Sequence, residues 1–375
     1  MKYCVLGAGL MGKAIAYDLL QQKDTTKVIL ADNNPEELKK AKEFLNCRDE
    51  ITSSLLQTEI FNAKSEVEIE KLFKEVDAAV AAIYYGFNFV FTKIAIKTKT
   101  HLCDLGGNSS VVDEQLKLSK EAEKAGISVI PDCGLAPGMV AVLVKWGLKK
   151  FDWVDTVKIR VGGLPVNPKN KLRYERLFSV GGLINEYIEP VRVLRNGRIE
   201  IIDPLTEIEE IEFPSFVRAY CNTPLLEAFT TSGGTSTLIE TYKSRLKNLD
   251  YKTIRYKGHC SELKILQKEG LFTHEYFEKN LPLCTEDVTL VKIIFEGSKD
   301  RVTPSQHELT IIDKAKPPFT AMMRTTAFPA AIISQMQARG QITNMGVLTQ
   351  ERCVPVDLFI SELEKREIII QERNN

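Results

Sequence analysis

Short apolar runs alternate with amphipathic runs over the first 131 residues. Strand-like apolar runs cover residues 3–6, 27–31, 55–61, 77–83, 101–105 and 127–130. Helical patterns between them cover residues 10–22, 35–45, 65–76, 88–97 and 111–124. Because a helix follows each of the first five strands, the pattern predicts an α/β fold with a parallel, doubly wound sheet.

The pattern changes after Pro137. A helix is predicted at residues 138–149, and strands at residues 156–161, 287–295 and 308–312. Asn196-Gly197 lies between apolar flanks in residues 191–202 and predicts a hairpin turn. An apolar helix at residues 325–337 follows a Pro-Pro break. We therefore predict an α+β domain with an antiparallel sheet at residues 133–320, inserted into a first domain of residues 1–132 and 321–375.

Glycines at positions 7, 9 and 12 form the pattern G-x-G-x-x-G between the first predicted strand and helix. Gly7 permits a tight turn, Gly9 lets a pyrophosphate approach the backbone, and Gly12 lets the helix pack closely on the strand. The N–H groups at the helix start, at Leu10 and Met11, then face the pyrophosphate. In this context the pattern predicts a Rossmann dinucleotide-binding domain over an unrelated glycine turn.

Asp32 ends the second predicted strand. A carboxylate there accepts hydrogen bonds from the adenosine ribose hydroxyls and repels a 2′-phosphate. Its neighbour is Asn33, and no arginine stands nearby to pair with a phosphate, so NAD is predicted over NADP. Further candidate cofactor contacts follow later strands, at Ile83, Gly106 and Asn108. A strand-to-helix turn with Asn108 as the helix cap is the alternative for the last of these.

Composition narrows the class of protein. The chain has 375 residues, with 50 Lys and Arg against 50 Asp and Glu. It lacks the basic excess of nucleic-acid binders and of anionic-membrane binders. The longest uncharged stretch, residues 78–92, is shorter than the roughly 18 residues of a membrane helix. No cysteine pair has C-x-x-C spacing and no H-E-x-x-H occurs, so we expect no metal site and a reduced, cytoplasmic protein.

Two polar loops are candidates for the chemistry. Asp132 follows a buried strand and precedes a helix, at the sheet edge where open parallel sheets bind ligands. A carboxylate beside a nicotinamide can act as an acid or base, and a helix cap or turn is the alternative. The run containing Thr231, Ser232 and Gly233 offers hydroxyls and N–H groups to a carboxylate, or else only a capped helix start.

The order and spacing of these motifs resemble the saccharopine dehydrogenase-like family along the whole chain. Five segments carry the resemblance: the G-x-G-x-x-G fingerprint at 7–12, G-G-N at 106–108, D-C-G-L-A-P-G at 132–138, K-T-I-R-Y-K-G-H at 252–259 and T-A-F-P-A at 326–330. Runs at 178–187 and 231–235 look most like the L-lysine 6-dehydrogenase branch. Gly181 and Gly182 stand where saccharopine reductases carry Pro-Arg, whose arginine serves a substrate carboxylate.

The resemblance implies NAD-dependent oxidative deamination of the L-lysine ε-amine to 2-aminoadipate 6-semialdehyde, ammonia and NADH. Hydride leaves only from the neutral amine, whose free pKa is about 10.4, so a base must take the proton or a dry site must lower the pKa of the amine. Asp132 is the first candidate for that base and Glu186 the second. Arg255, Thr231 and Ser232 are candidates for binding the α-carboxylate. A surface ion pair is the alternative for Arg255.

Two other functions stay open. One is a reductase of the same family that joins an amine to a semialdehyde, as in saccharopine or carboxynorspermidine formation. The other is a non-catalytic dinucleotide-sensing protein, which would not need the polar loops of the second domain. If the protein is the lysine dehydrogenase, we expect residues 133–320 to bind the amino-acid substrate and to form a homodimer or higher homo-oligomer through their long strands.

Overall fold

The computed structural model describes residues 1–46, 54–221, 225–298 and 302–374. The chain divides into two compact units, Met1–Val142 with Thr325–Arg366 and Leu143–Arg324 with Glu367–Asn375. The predicted domains, 1–132 with 321–375 and 133–320, have slightly different boundaries. The last strand also belongs to the second unit, because its backbone pairs with a strand there. The assignment of cofactor and substrate to these domains stays a prediction.

The described strands, in chain order, are β1 Lys2–Leu6, β2 Lys27–Asp32, β3 Leu56–Ile60, β4 Ala78–Ala81, β5 His101–Asp104, β6 Ser128–Ile130, β7 Trp153–Pro165, β8 Val191–Arg195, β9 Arg198–Ile202, β10 Glu209–Ile211, β11 Leu226–Thr230, β12 Asn248–Tyr256, β13 Asp287–Ser298, β14 Pro304–Lys314, β15 Gly346–Val347 and β16 Gln371–Asn374. The described α-helices are α1 Leu10–Leu20, α2 Pro35–Asn46, α3 Glu66–Lys74, α4 Asn88–Thr98, α5 Ser109–Lys117, α6 Ser119–Ala125, α7 Met139–Leu148, α8 Val180–Ile188, α9 Ser215–Tyr220, α10 Leu238–Tyr242, α11 His259–Lys268, α12 His274–Asn280, α13 Ala321–Ala338, α14 Gln350–Cys353 and α15 Val356–Lys365.

The first unit is built on a parallel sheet with the strand order β15-β6-β5-β4-β1-β2-β3. This confirms the predicted doubly wound fold. The seventh strand, β15, was not predicted, because two residues are too few to produce an apolar run. Alternate residues of the central strands, such as Cys4 and Ile29, pack against Phe73 and Phe91 from the helices on one face. Both faces of β1 are buried, as expected for a strand inside a parallel sheet.

From Thr325 onward, α13 belongs to the first unit. The side-chain amide of Gln337 donates hydrogen bonds to the backbone carbonyls of Leu102 on β5 (3.0 Å) and Ser128 on β6 (2.9 Å). At the end of α15, the guanidinium of Arg366 binds both carboxylate oxygens of Asp18 on α1, at 2.6 and 2.8 Å. These buried polar contacts fasten the returning segment to the parallel sheet and its helices.

The second unit contains a sheet with the order β10-β11-β12-β7-β13-β14-β16, to which β8 and β9 add a hairpin. The predicted hairpin turn is confirmed, with positive φ at Asn196 (48°) and Gly197 (75°). The sheet was predicted to be antiparallel, but β12 pairs with β7 in parallel. The patterning missed β12 because its charged residues, including Lys252 and Arg255, are buried together with its apolar residues.

Among the described residues, no helix combines the length and apolarity that crossing a bilayer requires. The cytoplasmic location and the homo-oligomer stay predictions.

A buried carboxylate begins the long helix α13. Asp287 at the start of β13 is fully buried, and its oxygens accept the backbone N–H groups of Ala321 and Met322 (2.9 Å for Met322). Burial raises the pKa of Asp287 to about 6. The carboxylate satisfies two N–H groups that a helix start leaves without an intrahelical acceptor.

Replacing Asp287 by Ala should lower the free energy of unfolding by about 2–4 kcal/mol, because two buried donors lose their acceptor. Urea unfolding measures this change. Asp152→Ala is the matched control, since Asp152 is exposed, and should change stability by less than about 0.5 kcal/mol. Equal effects of the two substitutions would contradict the capping role.

Candidate dinucleotide and substrate sites

The three fingerprint glycines meet three different spatial demands. Gly7 has φ +102°, and a Cβ there would lie 2.5 Å from the Ala82 carbonyl oxygen. A Cβ on Gly12 would lie 1.8 Å from the Gly7 carbonyl oxygen, so α1 packs against the loop without space for a side chain. A Cβ on Gly9 would meet nothing within 4 Å. The space above Gly9 therefore suits a pyrophosphate, as the sequence predicts.

The helix α1 begins directly after Gly9, at Leu10, and Gly9 offers no side chain to cap it. The first N–H groups of the helix, at Leu10 and Met11, have no acceptor within the helix itself. Backbone donors at a helix start attract anions through hydrogen bonding and through the helix dipole. This part of the first unit fits the phosphates of a dinucleotide.

Asp32 at the end of β2 closes the glycine loop. Its Oδ2 accepts the backbone N–H of Ala8 at 2.7 Å, and its Oδ1 accepts that of Asn34 at 2.9 Å. Each carboxylate oxygen keeps a lone pair for a further donor, such as a ribose hydroxyl. Asn33 is exposed beside it, and Ile83 packs against Gly7. The predicted cofactor residues of this loop therefore lie together, and their contacts with a cofactor stay a prediction.

A second carboxylate, Asp104 at the end of β5, was not predicted as a site residue. It is fully buried, and burial raises its pKa. Its Oδ1 accepts the backbone N–H groups of Gly106 (2.8 Å) and Asp132 (3.1 Å), and its Oδ2 accepts the side-chain amide of Gln115 (2.9 Å). Asp104 thus joins the two loops that leave neighbouring parallel strands. Its position at a strand end was the signal that could have indicated this role.

Asp132 and Gly106 are in direct contact. Gly106 has φ +72°, and a Cβ there would lie 1.7 Å from Oδ1 of Asp132. Asp132 itself has φ 61°, an uncommon conformation for a residue with a side chain, and is 3% exposed. Its backbone carbonyl accepts the side-chain amide of Gln350 at 2.6 Å. Asp132 is therefore held firmly at the edge of the parallel sheet, and its catalytic role stays a prediction.

Asn108 caps a helix. Its side-chain oxygen accepts the N–H groups of Ser110 (3.0 Å) and Val111 (3.3 Å) at the start of α5. This is the alternative considered for the loop in the sequence, and a capping residue orients the loop that contains Gly106. A direct contact between Asn108 and the cofactor stays a prediction.

The second unit contains a buried arginine. Arg255 on β12 is 3% exposed, so the surface ion pair considered for it is wrong. Its Nε donates to the hydroxyl of Tyr187 (2.9 Å), its Nη1 to the Ile254 carbonyl (3.0 Å) and its Nη2 to Glu186 (3.4 Å). The centre of its guanidinium lies 4.6 Å from the ring centroid of Tyr174, a cation–π contact.

A chain of hydrogen bonds leads from Arg255 into the interior. Nδ1 of His259 lies 2.6 Å from the Leu172 carbonyl, which can only accept, so Nδ1 carries the proton. Burial and the Arg255 charge lower the pKa of His259 to about 3, so the ring is neutral. Its Nε2 therefore accepts the hydroxyl of Tyr187 at 3.2 Å. The lone pair of that hydroxyl is thereby directed toward Arg255.

The loop that contains His259 is fixed from the neighbouring strand. The carboxylate of Glu227 on β11 is buried and accepts the backbone N–H groups of Gly258 (3.0 Å) and Cys260 (2.8 Å). These two groups flank His259 in the chain. Glu227 therefore positions the imidazole that in turn orients Tyr187.

Glu186 on α8 is the acidic partner of Arg255. Its side chain keeps 26% of its accessible area. Burial raises the pKa of Glu186 to about 7, and the neighbouring Arg255 opposes that rise. A carboxyl group with a pKa near neutrality can exchange protons at physiological pH, and in its ionised form it offers a negative charge beside the guanidinium.

The loop after β11 is tied to α8. The backbone N–H of Ser232 donates to the Glu186 carbonyl and its hydroxyl donates to the Asn185 carbonyl, both at 3.0 Å. The Thr231 hydroxyl shares a hydrogen bond of 2.7 Å with Thr253 on β12. Gly233 has φ +87° and open space beside it. Ser232 thus supports the segment that carries Glu186, and Thr231 fastens the loop to β12. A direct role of either residue in binding a carboxylate stays a prediction.

Within the described parts of the chain, no group of three or more His, Cys, Asp or Glu side chains is arranged to hold a metal ion. The chemistry of the two sites is that of a dinucleotide-binding loop and of a buried charged cluster.

A parallel sheet with a glycine-rich loop at the start of the first helix is the architecture of a Rossmann dinucleotide-binding domain. The model of the saccharopine dehydrogenase NADP binding domain matches residues 3–130, and that of the saccharopine dehydrogenase C-terminal domain matches residues 134–369. The chain belongs to the saccharopine dehydrogenase family.

Curated relatives agree with this assignment. The mitochondrial alpha-aminoadipic semialdehyde synthase of Bos taurus is 25% identical over 291 residues, covering 74% of this chain and 29% of the relative. The saccharopine dehydrogenase [NADP(+), L-glutamate-forming] of Saccharomyces cerevisiae is 27% identical over 143 residues, covering 36% of this chain and 31% of the relative. The matched parts are less than a third of the length of these two relatives.

Solved structures share the fold. The apo saccharopine dehydrogenase (L-Glu forming) of Saccharomyces cerevisiae matches with a TM-score of 0.81 at 17% identity, covering 100% of this chain and 99% of that one. A homospermidine synthase of Legionella pneumophila, in complex with NAD, matches with a TM-score of 0.68 at 10% identity, covering 100% and 91%.

The glycine loop can be tested with a matched pair of variants. Gly9→Ala should leave the unfolding midpoint nearly unchanged, since a Cβ there meets no atom, but should weaken dinucleotide binding at least about tenfold by occupying the pyrophosphate space. Gly12→Ala should destabilise the protein by about 1–3 kcal/mol through overpacking. Thermal unfolding and titration calorimetry measure the two effects. Unchanged dinucleotide affinity in Gly9→Ala would place the phosphates elsewhere.

Proposed function

We propose that this protein is an NAD-dependent dehydrogenase that oxidises the ε-amine of L-lysine. The overall reaction converts L-lysine, NAD⁺ and water to 2-aminoadipate 6-semialdehyde, ammonium, NADH and a proton. The observation that carries the proposal is Arg255, a buried guanidinium that would bind a substrate carboxylate in a dry environment, where charge-assisted hydrogen bonds are strong. The predicted role of Arg255 in binding the α-carboxylate is therefore kept.

The proposed cofactor is NAD rather than NADP. Asp32 supports this choice, because a carboxylate at the end of β2 would repel a 2′-phosphate while accepting ribose hydroxyls. The exposed neighbour Asn33 has no positive charge to offset that repulsion. Gly7, Gly9 and Gly12 would hold the pyrophosphate, and the bound nicotinamide would accept a hydride from the carbon that carries the amine.

The protein must supply a proton acceptor for this reaction. An ε-ammonium group has a pKa of about 10.4 and must lose a proton before its carbon can lose hydride. A base must later take a proton from the water that attacks the iminium carbon. Asp132 is the first candidate for both steps, since it is a buried carboxyl at the edge of the parallel sheet. Glu186, with a pKa near 7, is the second candidate.

The number of substrate carboxylates favours lysine over saccharopine. Gly181 and Gly182 lie at the start of α8 and have no side chain that could bind a carboxylate. According to the resemblance, saccharopine reductases carry an arginine in this region. Saccharopine has three carboxylates and would lose one charged partner in such a site.

A second candidate function is the oxidation or formation of saccharopine. The similarity to the alpha-aminoadipic semialdehyde synthase of Bos taurus and to the saccharopine dehydrogenase of Saccharomyces cerevisiae favours it. The same buried Arg255 would serve this reaction, because saccharopine also carries an α-amino-acid group derived from lysine. The two candidates differ in the amine whose attached carbon loses hydride, which is a primary amine in lysine and a secondary amine in saccharopine.

With NAD⁺ and a panel of amines, NADH should form from L-lysine and not from saccharopine, as followed by absorbance at 340 nm. Asp132→Asn should lower kcat by about 10²–10⁴-fold, because an amide cannot accept the proton. Asp113→Asn, on the exposed side of α5, is the control and should retain full turnover. NADH formed from saccharopine alone would select the second candidate, and near-normal kcat in Asp132→Asn would remove that residue as the base.

The cofactor preference gives a separate test. Asp32→Ser combined with Asn33→Arg should shift the preference toward NADP⁺ by about tenfold or more, since it removes the repelling carboxylate and adds a guanidinium for the 2′-phosphate. The readout is the ratio of kcat/KM for NAD⁺ and NADP⁺. Wild-type enzyme that already works faster with NADP⁺ would show that Asp32 does not exclude the phosphate.

A further inference from the structure

We propose that Arg255, Glu186 and Tyr174 together bind the charged α-amino-acid end of the substrate, and we name them the head-group cluster. Arg255 and Tyr174 bind the α-carboxylate, and Glu186 binds the α-ammonium. The inference rests on the proposed function only in taking the substrate to be an amino acid. It assigns Glu186 to substrate specificity and leaves Asp132 as the proton acceptor.

Arg255 has donors to spare. A guanidinium carries five N–H groups, and the described chain supplies acceptors for three of them, at Tyr187, Ile254 and Glu186. The contact with Glu186, at 3.4 Å, is longer than a strong charge-assisted hydrogen bond. A buried guanidinium with remaining donors fits an arriving carboxylate, which can accept two N–H groups at once.

Tyr174 provides the second, independent observation. Its side chain is 1% exposed, and its hydroxyl has no hydrogen-bond partner among the described residues. A buried hydroxyl without a partner destabilises a protein, so such groups are rare unless a water or a ligand completes them. The Tyr174 ring lies against Arg255, so a carboxylate on Arg255 would have this hydroxyl near it.

Glu186 supplies the opposite charge at the same place. Its carboxylate lies beside the guanidinium and its side chain retains access to solvent. In an amino acid the α-ammonium and α-carboxylate are attached to one carbon, so neighbouring negative and positive groups match them. Four methylene groups separate that carbon from the ε-amine. A carboxylate that contacts the α-ammonium is therefore too far from the ε-amine to act as its base.

The cluster predicts which amines are substrates. L-Lysine presents both charges to it, 6-aminohexanoate lacks the α-ammonium, and cadaverine lacks the carboxylate. Wild-type enzyme should prefer L-lysine to either analogue by about 10²-fold or more in kcat/KM, which corresponds to the loss of one charge-assisted contact.

Glu186→Gln separates the specificity role from a role as base. If Glu186 binds the α-ammonium, kcat/KM for L-lysine should fall about 10–100-fold while that for 6-aminohexanoate stays unchanged, so the preference is lost. If Glu186 is the base, kcat should fall by the same factor for both amines and the preference should persist. The second result overturns the proposal.

Tyr174→Phe tests the carboxylate contact with a variant that should fold normally, because the lost hydroxyl has no partner among the described residues. KM for L-lysine should rise about 5–10-fold, while cadaverine turnover stays unchanged and the unfolding midpoint stays the same or rises. Tyr3→Phe is the matched control, since Tyr3 on β1 also has a buried hydroxyl without a described partner. It should change neither the KM for L-lysine nor that for cadaverine. An unchanged KM for L-lysine in Tyr174→Phe contradicts the contact.

The outcome is separable from that of the proposed function. If saccharopine is oxidised and L-lysine is not, the lysine reaction is wrong, and Glu186→Gln should instead abolish the preference for saccharopine over N-(5-carboxypentyl)glutamate, which lacks the α-ammonium. If neither compound is oxidised and calorimetry detects binding of neither, the head-group cluster is overturned as well.

Discussion

A guanidinium buried in a folded protein is tolerated only where its charge and its donors find partners, since leaving it unpaired costs several kcal/mol. Arg255 sets this requirement in the second unit. Its partners are the aromatic face of Tyr174, the hydroxyl of Tyr187 and the carboxylate of Glu186. His259 orients the Tyr187 hydroxyl from behind. One buried charge thus determines the arrangement of residues from three separate stretches of the chain.

The first unit uses carboxylates at the ends of its strands in a similar way. Asp32 and Asp104 each end a parallel strand and accept backbone N–H groups from loops that leave the sheet. Loops with glycines have few side chains with which to stabilise themselves, so carboxylates from strand ends fix their shape. In both units a buried ionisable group with backbone partners builds a rigid site, which is what accurate positioning of substrate and cofactor requires.

The fold was largely predictable, because the first unit depends on local patterns. Apolar runs, the glycine spacing and the Asn196-Gly197 turn act over a few residues and produced the expected elements, except that the single helix predicted at residues 111–124 is two helices, α5 and α6. The parallel pairing of β12 with β7 and the short strand β15 were missed, since pairing partners far apart in sequence leave no local trace. Tyr174 was missed for the same reason, as it belongs to no recognised motif. Asp104 was missed although its position at the end of a predicted strand could have indicated its role.

The sequence by itself determined the dinucleotide loop, the acid at position 32 and the family of the chain, because the chemistry of these features lies within short segments. Only the tertiary structure decided the state of Arg255 and Glu186. In the sequence the two residues were candidates only through the family resemblance, and a surface ion pair stayed open for Arg255. Folding buries the arginine and brings the two within 3.4 Å, and it raises the pKa of Glu186 because burial disfavours its charge. The loss of water around a side chain depends on everything that packs against it, and its neighbours in the sequence are only a small part of those packing groups.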